Sequence, residues 1–233
     1  MQNESINNQI LNIWKKYPQE FRVNRIPILF NTFKPGSVLC IGSNPSFNSR
    51  GFKKILKNTP HEKLDWEKFY KWKNEERKKN IDSYTDKLLD IERRAIDEHP
   101  YFAKFRKIAE EFRLPLEHID LFFCRETNQG EVKKHLYPNK KLTLFAEEQL
   151  ELSLEMIETA KPKIILVANA FASEIIRKKK KIMVDDEKGC DFIIFKDQKI
   201  PIFFSSMLTG QRALDNESFE RLKWHMKKVM RSK

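Results

Sequence analysis

The 233-residue chain has only three cysteines, Cys40, Cys124 and Cys190, and none of them sits in a CxxC pair or near a spaced histidine. Three thiols cannot build a disulfide framework, and the spacing carries no zinc or iron–sulfur pattern, so no metal is expected. Two of the three fall inside apolar runs and read as small core residues of a reducing compartment. No run of about 18 apolar residues occurs anywhere, and the N-terminal MQNESINNQILNIWKKYP has no charged stretch leading into an apolar one. A soluble, cytoplasmic protein without a membrane partner is expected.

Glycine is scarce as well, at six residues, and neither GxxxxGK followed by Ser or Thr nor GxGxxG is present. Both phosphate-cradling loops are thereby excluded. The GxSxG elbow of a hydrolase is missing too, as are internal repeats and low-complexity tracts. The five histidines, His61, His99, His118, His135 and His225, show no triad or metal spacing and read as structural or exposed. No cofactor is implied.

What the chain has in surplus is positive charge: 45 Lys+Arg against 33 Asp+Glu, a net +12. Such an excess favours acidic partners through steering and counterion release, nucleic acid by default, and it also fits lysines that only keep the protein soluble. The length suits one sizeable core, so a single domain over residues 1–233 is expected.

Four short, nearly continuous apolar runs punctuate the sequence: SVLCIG (37–42), HIDLFFCR (118–125), KIILVANA (163–170) and IPIFFSS (200–206). Continuous rather than alternating patterns are those of strands buried on both faces. Helical patterns lie between them. LTLFAEEQLELSLEMIETAKP has Thr143 as a cap and Pro162 just past its end, AFASEIIRKKKK is a short helix, and the C-terminal helix starts at Asp215 and Asn216 with Phe219, Leu222, Met226 and Val229 on one face. CDFIIFKDQKIPIFF reads as a hairpin turning at Lys196–Lys199, which adds an antiparallel edge. The expected fold is α/β: a three-layer sandwich around a central four-stranded parallel sheet.

Residues 53–113 break this rhythm, being rich in charge, without strand signals, and carrying Trp66, Phe69, Tyr70 and Trp72 within seven positions. They read as a helical insertion between strands one and two. Its lysines suit a solvated helix face, and its aromatics interleaved with lysines equally suit a lid on single-stranded or distorted nucleic acid. Tyr101, Phe102, Phe105, Ile108 and Phe112 fall at helical spacing and are most simply core.

Ligands of open α/β sheets bind beyond the carboxyl ends of the strands. Those ends are Gly42–Phe47, Arg125–Gln129, Asn169 and Ser205–Arg212. The first, Gly42-Ser43-Asn44-Pro45-Ser46, combines a glycine that admits close backbone approach, an amide, and a proline that fixes the turn. It suits a loop aiming Asn44 at a ligand, and it equally suits an ordinary strand-to-turn transition.

Set beside the other strand ends, this loop resembles the signature of the uracil-DNA glycosylase superfamily, which reads GINPG or GMNPG in the mismatch-specific and single-strand-selective branches. The family's second signature, HPSPLS with an arginine two residues later, is similar to Phe204-Ser205-Ser206-Met207-Leu208-Thr209-Gly210-Gln211-Arg212, in which Ser206, Leu208 and Arg212 match. IILVANAFA looks like the family's third strand. The likeness covers Val38 to about Leu222 in four short segments.

The resemblance implies a four-stranded parallel sheet and a mechanism in which a damaged or deaminated base is flipped out of DNA and hydrolytically removed. By position, Asn44 would hold the attacking water, and backbone N–H groups around Gly42, Ser43 and the strand-four loop would stabilise the departing base. Phe47 or Phe52 would stack on the base, Leu208 would wedge into the gap, and Arg212, beside Ser206, would contact phosphate. Two departures stand out. The histidine that opens the second motif aligns with Phe204, leaving Ser205 as the donor, and the base-reading asparagine of strand two aligns near Cys124 or Arg125. Asn128 is the better base reader because an amide both donates and accepts, while Arg125 either joins it or simply pairs with Glu126. Phe204 keeps an alternative open, a catalytically inactive superfamily member that binds nucleic acid or a nucleotide. A third reading is an unrelated doubly wound enzyme acting on a small phosphorylated substrate.

Overall fold

All four β-rich runs contribute to one six-stranded mixed sheet in the computed structural model, which describes residues 2–74, 79–195, 198–210 and 213–231, with backbone alone for 2–5. The strands are β1 (Val38–Gly42), β2 (Leu116–Asp120), β3 (Ile164–Val167), β4 (Ile182–Asp185), β5 (Cys190–Phe195) and β6 (Gln198–Phe204). Their order across the sheet is β2-β1-β3-β6-β5-β4. β1 runs parallel to β3, with Val38 opposite Ile164, and β3 parallel to β6, with Leu166 opposite Phe203. β5 is antiparallel to both β6 and β4. Every residue of β1 and β3 is buried, which is why their sequences do not alternate.

Two expectations change. The antiparallel edge is a β4–β5–β6 meander rather than one added strand, and its first turn is closed by Asp185 Oδ1 accepting from the Lys188 N–H at 3.0 Å, with Gly189 at φ 62°. The expected second turn at Lys196–Lys199 begins on residues 196 and 197, outside the described residues, although Phe195 does pair with Gln198. The second strand, expected over 118–125, stops at Asp120. Leu121–Arg125 is buried but unladdered because its backbone partners come from elsewhere: Phe123 N–H donates to Gln149 Oε1 (2.8 Å), and the carbonyls of Phe123 and Leu121 accept from Ile28 N–H (3.1 Å) and Ser153 Oγ (3.2 Å).

The helices are α1 (Gln2–Lys16), α2 (Ser49–Ile55), α3 (Trp66–Phe69), α4 (Ile81–Glu98), α5 (Ala103–Phe112), α6 (Gln129–Leu136), α7 (Leu144–Ala160), α8 (Ala170–Lys179) and α9 (Asn216–Arg231). Thr143 Oγ1 accepts from Ala146 N–H, and Asp215 Oδ1 from Ser218 N–H, the capping expected from the sequence.

The chain forms two compact units, interleaved in sequence. The first comprises Met1–Thr32, Asn44–His99 and Asp120–Glu155, the second Phe33–Ser43, Pro100–Ile119 and Met156–Lys233. The second holds the sheet, whose core on one face interleaves Val38, Cys40, Ile164 and Leu166 with Phe105 and Ile108 of α5 and Phe219, Met226 and Val229 of α9. Residues 100–113 therefore belong to the sheet's helical cover, and the helical insertion shortens to the part before them. The first unit is built from helices and long buried connections, with Trp14 against Phe145 and Phe69 against Tyr84.

Candidate nucleic-acid site

Gly42 closes β1, Ser43 follows in the second unit at 2% exposure, and the chain then enters the first unit at Asn44. The Asn44 side chain is 8% exposed, and both ends of its amide are engaged. Nδ2 donates to the carbonyls of Glu126 (2.6 Å), Pro45 (3.2 Å) and Cys124 (3.3 Å), and Oδ1 accepts from Gln129 Nε2 at 2.8 Å. Further bonds lace the two loops: Glu126 N–H to the Pro45 carbonyl (2.9 Å), Phe47 N–H to Thr127 Oγ1 (3.1 Å), and the Ser46 and Thr127 hydroxyls to each other (3.0 Å). Asn44, the residue expected to hold a water, thus ties the loops at 44–47 and 124–129 to each other through its amide.

Arg125, expected at a base, is likewise enclosed by protein. It is 1% exposed, ion-paired with Glu92 of α4, and donates to the carbonyls of Ile26 (3.1 Å) and Pro27 (3.3 Å), with its guanidinium 4.5 Å from the centre of the Tyr70 ring. Burial pushes the Glu92 carboxyl above its ordinary value, against the pull of Arg125. The alternative pairing of Arg125 with Glu126 is not formed either. Glu126 instead accepts from Arg22 Nε (2.6 Å) and from the Asn128 N–H (2.9 Å). Desolvation raises its carboxyl, but the Asn128 and Arg22 hydrogen bonds outweigh that and hold it below the usual range. Asn128 is exposed, with its Oδ1 capping α6 through the N–H groups of Gly130 and Glu131. Its acceptor is thus used by the helix.

Phe47 and Phe52 are brought to a common aromatic cluster. Phe52 packs on Trp66 (4.4 Å between ring centres), Trp66 on Tyr70 (4.3 Å), and the half-buried Phe47 lies 5.7 Å from Trp66 and 5.8 Å from Tyr70. The Arg25 guanidinium covers the Phe47 ring at 4.0 Å and donates to the Arg125 carbonyl. Trp66 Nε1 and Tyr70 Oη are buried with no hydrogen-bond partner among the described residues. Trp66, Phe69 and Tyr70 are core residues of the first unit, which replaces the lid suggested by their spacing. Sequence reasoning missed Arg22 and Arg25, because two arginines in an ordinary polar stretch carry no local signal of the loop or ring each meets.

The second unit holds the other predicted residues. Ser205 follows β6 with its N–H on the Val167 carbonyl (2.9 Å) and its Oγ buried with no hydrogen-bond partner among the described residues. Phe204 carries the Arg177 guanidinium 3.7 Å from its ring centre, and Arg177 is in turn paired with Asp191 at 2.8 Å. Ser206 is exposed. Leu208 is 1% exposed within the core under α5 and α9, so the wedge expected there is a packing residue. Arg212 lies outside the described residues. Strand order reverses between β1 and β3, the position where open sheets bind ligands, and there Asn169 caps α8 through Phe171 and Ala172 N–H.

Between Asn48 and Asn74 there are eight Lys or Arg residues against three carboxylates. Arg50, Lys53, Lys54, Lys57, Lys68 and Lys71 are all exposed in the segment that also supplies Phe52, Trp66 and Tyr70 to the aromatic cluster. Among the described residues no group of three or more His, Cys, Asp or Glu side chains is placed to hold a metal ion, and no helix is long and apolar enough to cross a membrane. No family model and no curated protein matches the chain.

Proposed function

We propose that the protein binds nucleic acid through the basic 48–74 segment of its first unit, and that it is a uracil-DNA glycosylase-like protein in which base removal has been lost. The observation that carries this reading is the engagement of Asn44. An amide whose N–H groups meet three carbonyls and whose oxygen takes a glutamine N–H has no free face for an attacking water. The seclusion of Arg125 and Leu208 and the phenylalanine at position 204 point the same way. Binding is supported by the cations around Phe47, a half-exposed ring already stacked with a guanidinium, an arrangement that also suits a base.

A second reading, an active DNA glycosylase, draws on Ser205, whose hydroxyl, without a partner among the described residues, follows β6 at the aligned second motif. One pair of measurements separates the two. Fluorescence anisotropy with labelled single-stranded and duplex DNA at rising salt should give weakening affinity with a steep logarithmic slope, reduced when Lys53, Lys54 and Lys57 are replaced by Glu. Duplexes carrying uracil, hypoxanthine or an alkylated base, treated with excess protein and then alkali, should stay intact. Strand cleavage that disappears in Ser205→Ala would establish the glycosylase instead, and salt-insensitive or absent binding would remove the nucleic-acid reading.

A further inference from the structure

The edge strand β4 and its flanks read KKKKIMVDDE over residues 178–187: basic before the strand, apolar within it, acidic after it. Sheets usually guard such an edge with a lysine, a proline or a bulge inside the strand. Here the strand centre is Ile182-Met183-Val184, with Met183 39% and Val184 68% exposed. Ile194 on the adjoining β5 adds a third exposed apolar side chain at 44%. On its outer side β4 has no strand partner among the described residues.

We infer that this edge pairs with the same edge of a second copy of the chain, antiparallel and about a two-fold axis through Met183. A two-fold perpendicular to an antiparallel pair sets one residue opposite itself, and only the Met183-centred choice suits these side chains. It puts Ile182 opposite Val184 and Lys181 opposite Asp185. Just beyond the strand it brings Lys180 to the side of the turn residue Asp186, and the symmetry repeats every one of these pairs. Centring on Val184 would instead set Met183 against Asp185, and centring on Ile182 would set Lys181 against Met183. Asp185 already pairs with Lys199 of its own chain, Nζ lying 3.2 Å from Oδ2, so the Lys181 of a second copy would add a further cation to this carboxylate. Opposite charges facing across a strand pair stabilise it, whereas a parallel pairing would oppose lysine to lysine. One strand pair buries less than a standard interface, so the dimer is a weak one, dissociating in roughly the micromolar range.

The test uses the full chain. Sedimentation velocity should show a concentration-dependent monomer–dimer equilibrium that high salt weakens. Met183→Cys should form a disulfide dimer under mild oxidation, because directly opposed residues have Cα atoms about 4.5–5.5 Å apart, within disulfide reach. Ile194→Cys, exposed but one strand in from the edge, should not, and the native cysteines are buried. Lys180→Glu with Lys181→Glu, and separately Asp186→Lys with Glu187→Lys, should each raise the dissociation constant at least tenfold, while mixing the two variants restores a heterodimer. A wild type that is monomeric throughout, equal cross-linking at both cysteine positions, or charge-reversed variants that dimerise as well as wild type would each overturn the inference.

Discussion

Asp120 offers the sharpest test of how the first unit handles buried charge. It ends β2 at 4% exposure, and burial, reinforced by the nearby Glu92 carboxylate and only partly opposed by Arg125, pushes its carboxyl up to about 8. An aspartate in the unfolded chain titrates near 3.8. Between those two values the folded protein holds a proton that the unfolded chain has lost, so stability falls as pH rises, at about 1.4 kcal/mol per unit. Below that window both states are protonated, and above it both are ionised and the full penalty is present. Over the whole window the penalty is about 5–6 kcal/mol, comparable with the net stability of many domains. Asp120→Asn keeps the shape and carries no such proton. Its advantage over wild type should therefore be small near pH 4 and grow to several kcal/mol by about pH 8. Urea unfolding of both proteins across that range reads the difference directly. A difference that stays flat with pH, or a variant less stable than wild type at pH 8, would refute the placement of Asp120 as a buried, proton-holding acid.

Glu92→Ala strands the Arg125 guanidinium in the interior and should destabilise the protein by about 3–5 kcal/mol in chemical denaturation, with Glu92→Gln milder because its amide oxygen still accepts. Leu208→Ala should cost about 2–5 kcal/mol of stability while leaving DNA affinity unchanged in anisotropy, the reverse of what a DNA wedge would do. Asn44→Asp should be more damaging than Asn44→Ala, because a carboxylate would face the Pro45, Cys124 and Glu126 carbonyls that the amide now serves. Hydrogen exchange at the Glu126 and Phe47 N–H groups should quicken in both variants.

Much of the sheet was legible in the sequence because burial on both faces leaves a direct mark. Val38–Gly42 and Ile164–Val167 are continuous apolar runs because every position is covered, and the structure has strands there. The helices after them were legible from caps such as Thr143 and Asp215, which act within three residues. The end of β2 was not. Leu121–Arg125 is as apolar and as buried as the strand before it, but Gln149, Ser153 and Ile28 take its backbone bonds. Apolar pattern reports burial and is silent on which partner satisfies the backbone. β4 was missed for the opposite reason, since an exposed edge of three apolar residues between charge runs leaves little burial signal to read.

The functional residues were harder to read, and the difficulty is physical. Asparagine in a GSNPS loop offers the same donors and acceptor whether it meets water or protein, and only residues some 80 positions away decide which. Once Glu126 presents its carbonyl 2.6 Å from Nδ2, the amide is a structural tie, whatever its neighbours in sequence resemble. The same holds for Arg125, whose charge would suit a phosphate until Glu92, the Ile26 and Pro27 carbonyls and the Tyr70 ring enclose it. A short motif therefore constrains a backbone shape more strongly than a chemistry. Here the shape is a tight turn after β1, held by an amide that fastens one loop to another. Chemistry at such a turn requires a side chain with a free face, and along the two loops the exposed side chains are those of Ser46, Asn48, Thr127 and Asn128, with Phe47 half-buried.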